Sequence, residues 1–253
     1  MSDTKPDPRV DLAERAARVR TEMGGAAKVQ KMQEEGDRTI REHIDGLLDQ
    51  DTFRELGTFS RSLKESDRDR TPGDGKIGGH GEVNGRPVAV FGDDITVLRG
   101  SSSIVGTRKE YRLYERALAM GIPIVHFGET GGGRIPDIMG AEGISEPGEL
   151  FSMGRRRHRV PMATAIVGQS FGGSSFLSGM SDFVVMTRGS CLAVTSPKSL
   201  KWPLVNRFPS KNWVASTYTQ KQLDKLISRP RPTRKPTRPF AHGLATCRLM
   251  HTR

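Results

Sequence analysis

The sequence predicts an α/β fold with crossover connections between its strands. Four short apolar runs are typical of buried strands, and they occupy residues 87–91, 122–127, 163–167 and 182–186. Glycine-rich turns follow directly after two of these runs, and a helical pattern separates the first two. Because strand, glycine turn and helix follow one another repeatedly, we expect helices that cross over and pack on a sheet.

The positive charge of the chain is confined to its C-terminal segment. The 253 residues carry a formal net charge of +11. Residues 198–253 contain six lysines, seven arginines and one acidic residue, Asp224, and therefore carry +12, which leaves −1 for residues 1–197. Since the first 197 residues are close to neutral, their composition gives no reason to expect nucleic-acid binding.

Neither export nor a membrane span is expected. The N-terminus lacks the apolar stretch of a signal peptide, and no segment approaches the roughly 18 apolar residues of a membrane-spanning helix. The two cysteines, Cys191 and Cys247, have no metal-ligand spacing around them, so we expect neither a disulfide scaffold nor a metal site. A soluble protein in the reducing cytoplasm is the expectation.

The N-terminal part is predicted to contribute one amphipathic helix. Residues 1–24 are polar and charged, and they are expected to form an arm that is mobile or loosely docked as a helix. Thr39 and Glu42 have the spacing of a capping box. Apolar residues then follow at helical spacing, at Ile40, Ile44, Leu47 and Leu48. Residues 60–75, which are rich in charge, proline and glycine, are predicted to be a surface loop.

A second helix is predicted between the first two strands. In residues 107–121 one face carries Tyr111, Tyr114 and Leu118, and Gly121 supplies a C-terminal stop. We expect this segment to be a crossover helix.

Two glycine turns are the candidate functional elements. Residues 128–137 (GETGGGRIPD) follow the second predicted strand, and residues 168–176 (GQSFGGSSF) follow the third. Consecutive glycines before a helix expose backbone N–H groups, and the helix N-terminus adds partial positive charge, so such a turn can bind an oxyanion or a phosphate. For either turn alone, glycines that only permit a tight turn or close packing are the alternative. Two such turns in succession favour a function.

Common anion-binding and nucleophile motifs do not explain these turns. Residues 100–108 (GSSSIVGTR) have the wrong glycine spacing for a phosphate-binding loop and lack its lysine, and the dinucleotide fingerprint is absent from both turns. The pattern G-x-S-x-G does occur around Ser170. However, the histidines that follow it, His242 and His251, both lie in the basic C-terminal segment, so a serine hydrolase is disfavoured.

Four motifs carry a resemblance to a known family. In chain order they are DGKIGGHGEVNGRPVAVFGDDITVLRGSSS, GIPIVHFGETGGGRIPD, GQSFGGSSFLSGMSDFVVM and GSCLAVTSP. Together they resemble the N-terminal half of the carboxyltransferase subunit of biotin-dependent acyl-CoA carboxylases, over residues 25–197. The resemblance implies a crotonase-like α/β fold of superhelical repeats and an acyl-CoA substrate. It also implies transfer of a carboxyl group from carboxybiotin to the carbon α to the thioester.

The resemblance further implies which residues act. Carboxyl transfer passes through an enolate, whose oxygen is stabilised by preorganised N–H donors. By resemblance these donors are the backbone groups of Gly131, Gly132, Gly172 and Gly173. By resemblance, too, three cations lie near the phosphates of CoA, namely Arg99, Arg108 and Lys109, although solvated surface charge is an equally good interpretation of them.

The first glycine turn departs from the pattern of the family it resembles. That pattern is E-S-G-G-A-R-I, and this chain has Thr130 in place of the serine and Gly133 in place of the alanine. Glu129, Arg134 and Ile135 match it. The difference indicates a subgroup whose acyl specificity the sequence leaves open.

The expected partners also follow from the resemblance. They are biotin attached to a carrier protein, a biotin carboxylase or biotin carrier subunit, and further copies of the same subunit in a homo-oligomer. No nucleic-acid or membrane partner is expected. The arginine cluster at Arg155, Arg156, Arg157 and Arg159 is typical of an exposed helix face, with nucleic-acid binding as the less favoured alternative.

Residues 198–253 are predicted to be an out-of-frame translation and to be disordered. If one nucleotide was lost near codon 198, Trp202 followed by Pro203 forces an alanine in the restored frame, and Trp213 followed by Val214 forces a glycine. With permitted codons elsewhere the restored frame can read VVEMATGEPISLEELGGVDVYAKATGQ, which is the continuation that the resemblance implies. The alternative is a basic arm that contacts phosphates without sequence preference.

A broken frame would leave an N-terminal half that is silent on its own, because the resemblance implies that the other half supplies the biotin site. Two alternatives stay open. One is the carboxyltransferase part of a biotin-dependent decarboxylase, and the other is a non-catalytic acyl-CoA-binding module.

Overall fold

The computed structural model describes residues 7–138, 140, 148–155 and 158–194. The predicted tail, residues 198–253, and two arginines of the cluster, Arg156 and Arg157, lie outside the described residues. The other two arginines of the cluster, Arg155 and Arg159, are exposed.

Within these residues, helices alternate with the strands of one mixed sheet. The helices are α1 (Pro8–Glu22), α2 (Ala26–Glu34), α3 (Ile40–Leu47), α4 (Ile104–Met120), α5 (Ile135–Ile138), α6 (Gly148–Arg155) and α7 (Gly173–Met180). The strands are β1 (Arg54–Glu55), β2 (Lys76–Val83), β3 (Arg86–Asp93), β4 (Ile124–Thr130), β5 (Met162–Phe171), β6 (Phe183–Met186) and β7 (Cys191–Ala193). Short 3-10 turns occupy Glu65–Arg70, Pro72–Gly75 and Leu98–Gly100.

The sheet is antiparallel at one side and parallel at the other. Strands β1, β2 and β3 pair antiparallel, whereas β3, β4, β5 and β6 pair parallel in that order. Strand β7 also pairs parallel with β5, beyond the point where β6 ends its pairing. The four predicted strands are therefore confirmed as β3 to β6, and the parallel part is connected through helices as expected.

Strand β2 is absent from the sequence-based prediction. Its sequence, KIGGHGEV, is rich in glycine, which weakens any strand pattern. The structure shows why glycine is needed: a Cβ atom at Gly79 would overlap the backbone carbonyl of Arg54 in β1, and one at Gly81 would overlap the side chain of Leu48.

Helix α3 forms as predicted. The Thr39 hydroxyl accepts the N–H of Glu42, and the Glu42 carboxylate accepts the N–H of Thr39, which completes the capping box. The predicted apolar face is buried against the sheet, with Ile44 fully excluded from solvent.

Helix α4 also matches its prediction and covers the opposite face of the sheet. Tyr114 is buried, and Tyr111 and Leu118 pack against the same core. Gly121 ends the helix in the left-handed conformation, at φ 63°. Because side chains alternate along a strand, Val88 and Val90 of β3 point to the core under α3, while Phe91 points to the core under α4.

The predicted N-terminal arm, residues 1–24, contains helix α1, and helix α2 follows directly after it. Helix α1 buries none of its residues, but Arg20 at its end donates to the Glu55 carboxylate, which also receives two hydrogen bonds from Arg41. The predicted loop at residues 60–75 contains two of the short 3-10 turns. No helix in the described part of the chain is long and apolar enough to cross a membrane.

Candidate active site at two glycine turns

The two predicted glycine turns lie side by side at one edge of the sheet. Strands β4 and β5 are parallel neighbours, so their carboxyl ends meet at the same edge, where each runs into a turn. A Cβ atom added at Gly172 would lie 3.6 Å from the Cα atom of Gly132 and 4.0 Å from the amide nitrogen of Gly133. The space between the turns is therefore lined by backbone, and glycines keep it open.

The first turn is fastened to the segment that follows β3. The N–H of Gly131 donates to the carbonyl of Arg99 at 2.8 Å, and the N–H of Gly132 donates to the hydroxyl of Thr130 at 3.1 Å. That hydroxyl in turn donates to the carbonyl of Gly100 at 2.6 Å. Both N–H groups already hold the turn in place, which does not favour the donor roles expected for Gly131 and Gly132, and these roles stay predictions.

In this turn, the N–H of Gly133 points away from the neighbouring segment, which contains Ser102. Gly133 forms a single parallel bridge with Ser102, in which Ser102 donates to Gly132 and accepts from Arg134. The N–H of Gly133 makes no hydrogen bond within the described residues. This donor is not predictable from the sequence, because the pairing with Ser102 depends on a distant segment.

The second turn joins β5 to α7. Gly172 has φ 66° and ψ −123°, a conformation open to glycine, and its N–H donates to the carbonyl of Val194 at 3.1 Å. That bond does not favour the donor role expected for Gly172, which also stays a prediction. Gly173 opens α7, and its N–H is without a hydrogen-bond acceptor in the part of the chain that the structure describes. Its role as a donor stays a prediction.

A buried ion network anchors the far end of the first turn. The Arg134 guanidinium donates to Asp74 at 2.6 Å, to Asp137 at 3.0 Å and to the carbonyl of Ser101 at 3.2 Å. The second carboxylate oxygen of Asp74 accepts the N–H of Gly106 at 2.8 Å in the first turn of α4. Both Arg134 and Asp74 are almost fully buried. Arg134 matches the family pattern in the sequence, but its partners come from distant segments that the sequence pattern does not identify.

A second buried cluster supports the beginning of the same turn. Asp93, at the end of β3, accepts the N–H of Glu129 at 3.2 Å and forms an ion pair with Lys76. Burial disfavours the charge on Lys76, but the carboxylates of Asp93 and Glu110 outweigh it and raise the pKa of Lys76 above its usual value. Burial lowers the pKa of His126 to about 4, so this imidazole is neutral.

Glu129 lies between the two turns. A Cβ atom at Gly168 would overlap its carboxyl group, which places that group against β5 where the second turn begins. Burial, together with the negative charges of Asp37, Asp93 and Asp94, raises the pKa of Glu129 to about 7, although Arg99 opposes the shift.

The three predicted CoA-binding cations have different surroundings. Lys109 is half-buried, and its ammonium donates to the carbonyls of Gly57, Gly73 and Lys76, which engages all three of its donors. Its burial lowers its pKa to about 8. These contacts do not favour a CoA-phosphate role for Lys109, which stays a prediction. Arg99 and Arg108 are exposed, and Arg99 lies at the first turn.

Ser170 is not a nucleophile. Its side chain is completely buried, and its hydroxyl donates to the hydroxyl of Ser174 at 2.7 Å. This geometry agrees with the sequence-based argument against a serine hydrolase. Among the described residues there is also no group of three or more acidic, histidine or cysteine side chains placed to hold a metal ion.

Comparison with known proteins identifies close relatives of this arrangement. Residues 31–223 match the carboxyl transferase domain family. The chain is 33% identical to the methylmalonyl-CoA carboxyltransferase 12S subunit of Propionibacterium freudenreichii, over 70% of this chain and 34% of that protein. It is 34% identical to the propionyl-CoA carboxylase carboxyltransferase subunit of Haloferax mediterranei, over 70% of this chain and 35% of that protein. It is also 30% identical to the methylmalonyl-CoA decarboxylase subunit alpha of Veillonella parvula, over 75% of this chain and 38% of that protein.

Solved structures give the same result. The transcarboxylase 12S structure with methylmalonyl-coenzyme A bound superposes with a TM-score of 0.71 at 31% identity, covering 79% of this chain and 40% of that one. A single-chain long-chain acyl-CoA carboxylase superposes with a TM-score of 0.72 at 29% identity, covering 83% of this chain and 22% of that one. The predicted crotonase-like fold is thereby confirmed. The chain spans about a third of the length of the curated relatives that it matches. The family match ends at residue 223, past the predicted boundary at residue 197, and the frameshift interpretation stays a prediction.

Proposed function

We propose that this chain, which belongs to the carboxyl transferase domain family, supplies the acyl-CoA side of a carboxyltransferase active site. The reaction moves a carboxyl group between biotin and the carbon α to the thioester of an acyl-CoA. The observation that carries the proposal is the meeting of two backbone turns at the carboxyl ends of β4 and β5, with the N–H groups of Gly133 and Gly173 left without acceptors in the described part of the chain.

The thioester oxygen is the group that fits between the turns. Removal of either the carboxyl group or a proton from the α carbon leaves the bonding electron pair in an enolate, which places negative charge on this oxygen. The N–H of Gly173 lies at the N-terminus of α7, where the helix dipole favours negative charge. The N–H of Gly133 lies next to Gly172 across the gap. Two donors from different turns can therefore stabilise one oxyanion.

The remaining groups of the site position these donors. The bonds from Gly131 to Arg99 and from Gly132 to Thr130 fix the backbone of the first turn. Gly172 accepts the N–H of Ser175 at 3.0 Å, which fixes the start of α7. Since the donors are held before substrate arrives, no reorganisation is needed when charge develops.

Biotin supplies the carboxyl group when it is carried to such a site by a partner protein. We assign no residue of this chain to biotin, because the space between the turns fits an oxyanion and the resemblance places the biotin site in the other half of the subunit. A biotin carrier protein, further copies of the subunit and a cytoplasmic location are part of the proposal. The relatives include carboxylase and decarboxylase subunits, so the proposal covers both directions of transfer.

Replacing Gly173 with proline tests the oxyanion donor directly. Proline removes a single N–H at the first position of a helix, where its fixed φ is well tolerated. We expect Gly173→Pro to bind propionyl-CoA but to carboxylate it on the order of 100-fold more slowly, or worse, in an assay that combines the full chain with the complementary half of the subunit and a biotin carrier protein. Gly179→Ala, also in α7 and with open space around it, is the matched control.

The two measurements separate the alternatives. Titration of the chain with propionyl-CoA in a calorimeter should release or absorb heat with one site per chain, and no binding would contradict the proposal. Binding without any carboxylation, when the wild-type chain is combined with the complementary half of the subunit and a biotin carrier protein, would instead support a non-catalytic acyl-CoA-binding module. A Gly173→Pro variant with the full wild-type rate would remove Gly173 from the oxyanion site.

A further inference from the structure

Three consecutive residues beside the first glycine turn are in the left-handed backbone conformation. They are Leu98 with φ 44°, Arg99 with φ 61° and Gly100 with φ 61°. For a leucine or an arginine this conformation costs on the order of 1 kcal/mol or more per residue. It persists because Arg99 accepts the N–H of Gly131 and Gly100 accepts the hydroxyl of Thr130. Such strain points to a function at the residue that it displays.

The strained backbone places Arg99 beside Gly131 of the first glycine turn. A Cβ atom added at Gly131 would lie 3.3 Å from the Cβ atom of Arg99 and 3.5 Å from its Nε atom. The Arg99 side chain is exposed. Its guanidinium makes no hydrogen bond and no ion pair with any of the residues that the structure describes, whereas the buried cations Arg134 and Lys76 are paired with carboxylates.

We propose that Arg99 binds the carboxylate that distinguishes a carboxylated acyl-CoA from the acyl-CoA itself. The inference rests on the proposed function, since it takes the reacting end of the substrate to lie between the two turns. A guanidinium is suited to this group because its donors match both oxygens of a carboxylate.

The position of Arg99 argues against the CoA phosphates as its ligand. The guanidinium lies next to Gly131, within two residues of the proposed donor at Gly133, while the phosphates of CoA are separated from the thioester by the whole pantetheine arm. Arg99 influences the oppositely charged Glu129 electrostatically and lowers the pKa of that carboxyl group. Because the pKa of Glu129 is about 7, this carboxyl group is partly protonated at neutral pH. It therefore offsets the positive charge of Arg99 only in part.

A pair of thioesters that differ by one carboxylate tests the inference. Calorimetric titration of the full chain with propionyl-CoA and with methylmalonyl-CoA gives two affinities, and their ratio measures recognition of the carboxylate. We expect Arg99→Asn to weaken methylmalonyl-CoA binding about tenfold and to leave propionyl-CoA binding unchanged. Asparagine tolerates the left-handed conformation, so we expect the melting temperature to be unchanged or higher. Arg99→Lys, which retains the charge, should keep most of the preference.

Each other outcome has a distinct meaning. If Arg99→Asn weakens both thioesters equally, Arg99 binds a group common to both, such as the CoA phosphates, and the inference is overturned. If both affinities are unchanged, Arg99 binds neither ligand and the inference again fails. If the wild-type chain binds neither thioester, the proposed function fails and the role of Arg99 fails with it. Arg18→Gln, a charge-matched change at an exposed residue of α1, should leave both affinities unchanged.

Discussion

The two glycine turns lie side by side but are held in place in different ways. The first turn is fixed mainly by side chains and carbonyls from distant segments, among them Arg99, Gly100 and Asp74. The second is fixed mainly by its own strand-to-helix geometry, in which Gly172 takes a conformation open to glycine and caps α7. The first turn therefore depends on tertiary contacts, and the second depends on the residue type at one position.

This difference indicates how two turns can be held firmly in position while some of their N–H groups still face the gap between them. Ion pairs and hydrogen bonds around the first turn occupy the N–H groups of Gly131 and Gly132, which leaves Gly133 to face the gap. The second turn offers Gly173 at the start of a helix. Substitutions that affect the first turn and substitutions in the second turn should accordingly disrupt the site for different reasons.

The largest effect is expected from breaking the ion network behind the first turn. Asp74→Asn keeps the size of the side chain and tolerates its left-handed backbone, but it removes the charge that faces Arg134 at 2.6 Å. Arg134 then retains only the Asp137 carboxylate, at 3.0 Å, and its buried charge is less well compensated, so we expect the free energy of unfolding to fall by about 3 kcal/mol, the low end for a broken buried ion pair. Urea denaturation of the two proteins measures the change.

Asp69→Asn is the matched control for this change. Asp69 pairs with Arg61 at 3.2 Å, but both side chains are largely exposed, so its removal should leave stability essentially unchanged. Equal effects of the two substitutions would show that the buried network does not hold the first turn.

An intermediate effect is expected from adding one methyl group to the second turn. Gly172→Ala forces a residue with a Cβ atom into φ 66° and ψ −123°, and we expect it to cost about 1–3 kcal/mol of stability. Because the change also displaces Gly173, carboxyl transfer should slow on the order of 100-fold. Thermal unfolding and the carboxylation assay measure the two consequences.

Gly133→Ala in the first turn provides the comparison. Gly133 does not have a positive φ, and a Cβ atom there would meet only the end of the Ile138 side chain, which can move. The stability should therefore change by less than about 1 kcal/mol. A loss as large as that of Gly172→Ala would mean that both turns depend on glycine in the same way.

The smallest effect is expected from replacing Glu129, which belongs to the first turn and whose carboxyl group lies against Gly168 of the second. Its pKa is raised from an ordinary value of 4.5 to about 7, so between these values the folded protein retains a proton that the unfolded chain releases. The unfolded state then binds fewer protons, and stability falls as the pH rises from about 4.5 to 7. Glu129→Gln removes this dependence, and we expect the variant to match the wild type at pH 4.5 and to be more stable at pH 8, by on the order of 1 kcal/mol.

Urea denaturation at several pH values measures this difference. Glu65→Gln, at an exposed position, should show the same pH dependence as the wild type. A Glu129→Gln variant whose advantage did not change with pH would show that the carboxyl group is not desolvated between the turns.

Features that depend on neighbouring residues were predictable from the sequence. The capping box of α3 needs only Thr39 and Glu42, and the stop of α4 needs only Gly121, because capping interactions are made within a few residues. The four hydrophobic strands were predictable because burial on both faces leaves a continuous apolar run. Strand β2 was not predictable, since its glycines are required by close contacts with Arg54 and Leu48, which lie more than 20 residues away in the chain.

The sequence by itself determined the α/β fold, the two glycine turns and the family to which they belong. Only the tertiary structure decided which N–H groups face the gap, because the acceptors for Gly131 and Gly172 are carbonyls of distant segments, those of Arg99 and Val194. The same holds for the cations: Lys109 and Arg99 are both basic residues in the sequence, but the fold surrounds the first with carbonyls and leaves the second exposed beside Gly131. Residue type sets which bonds a group can make, and the packing of distant segments sets which of those bonds are already made.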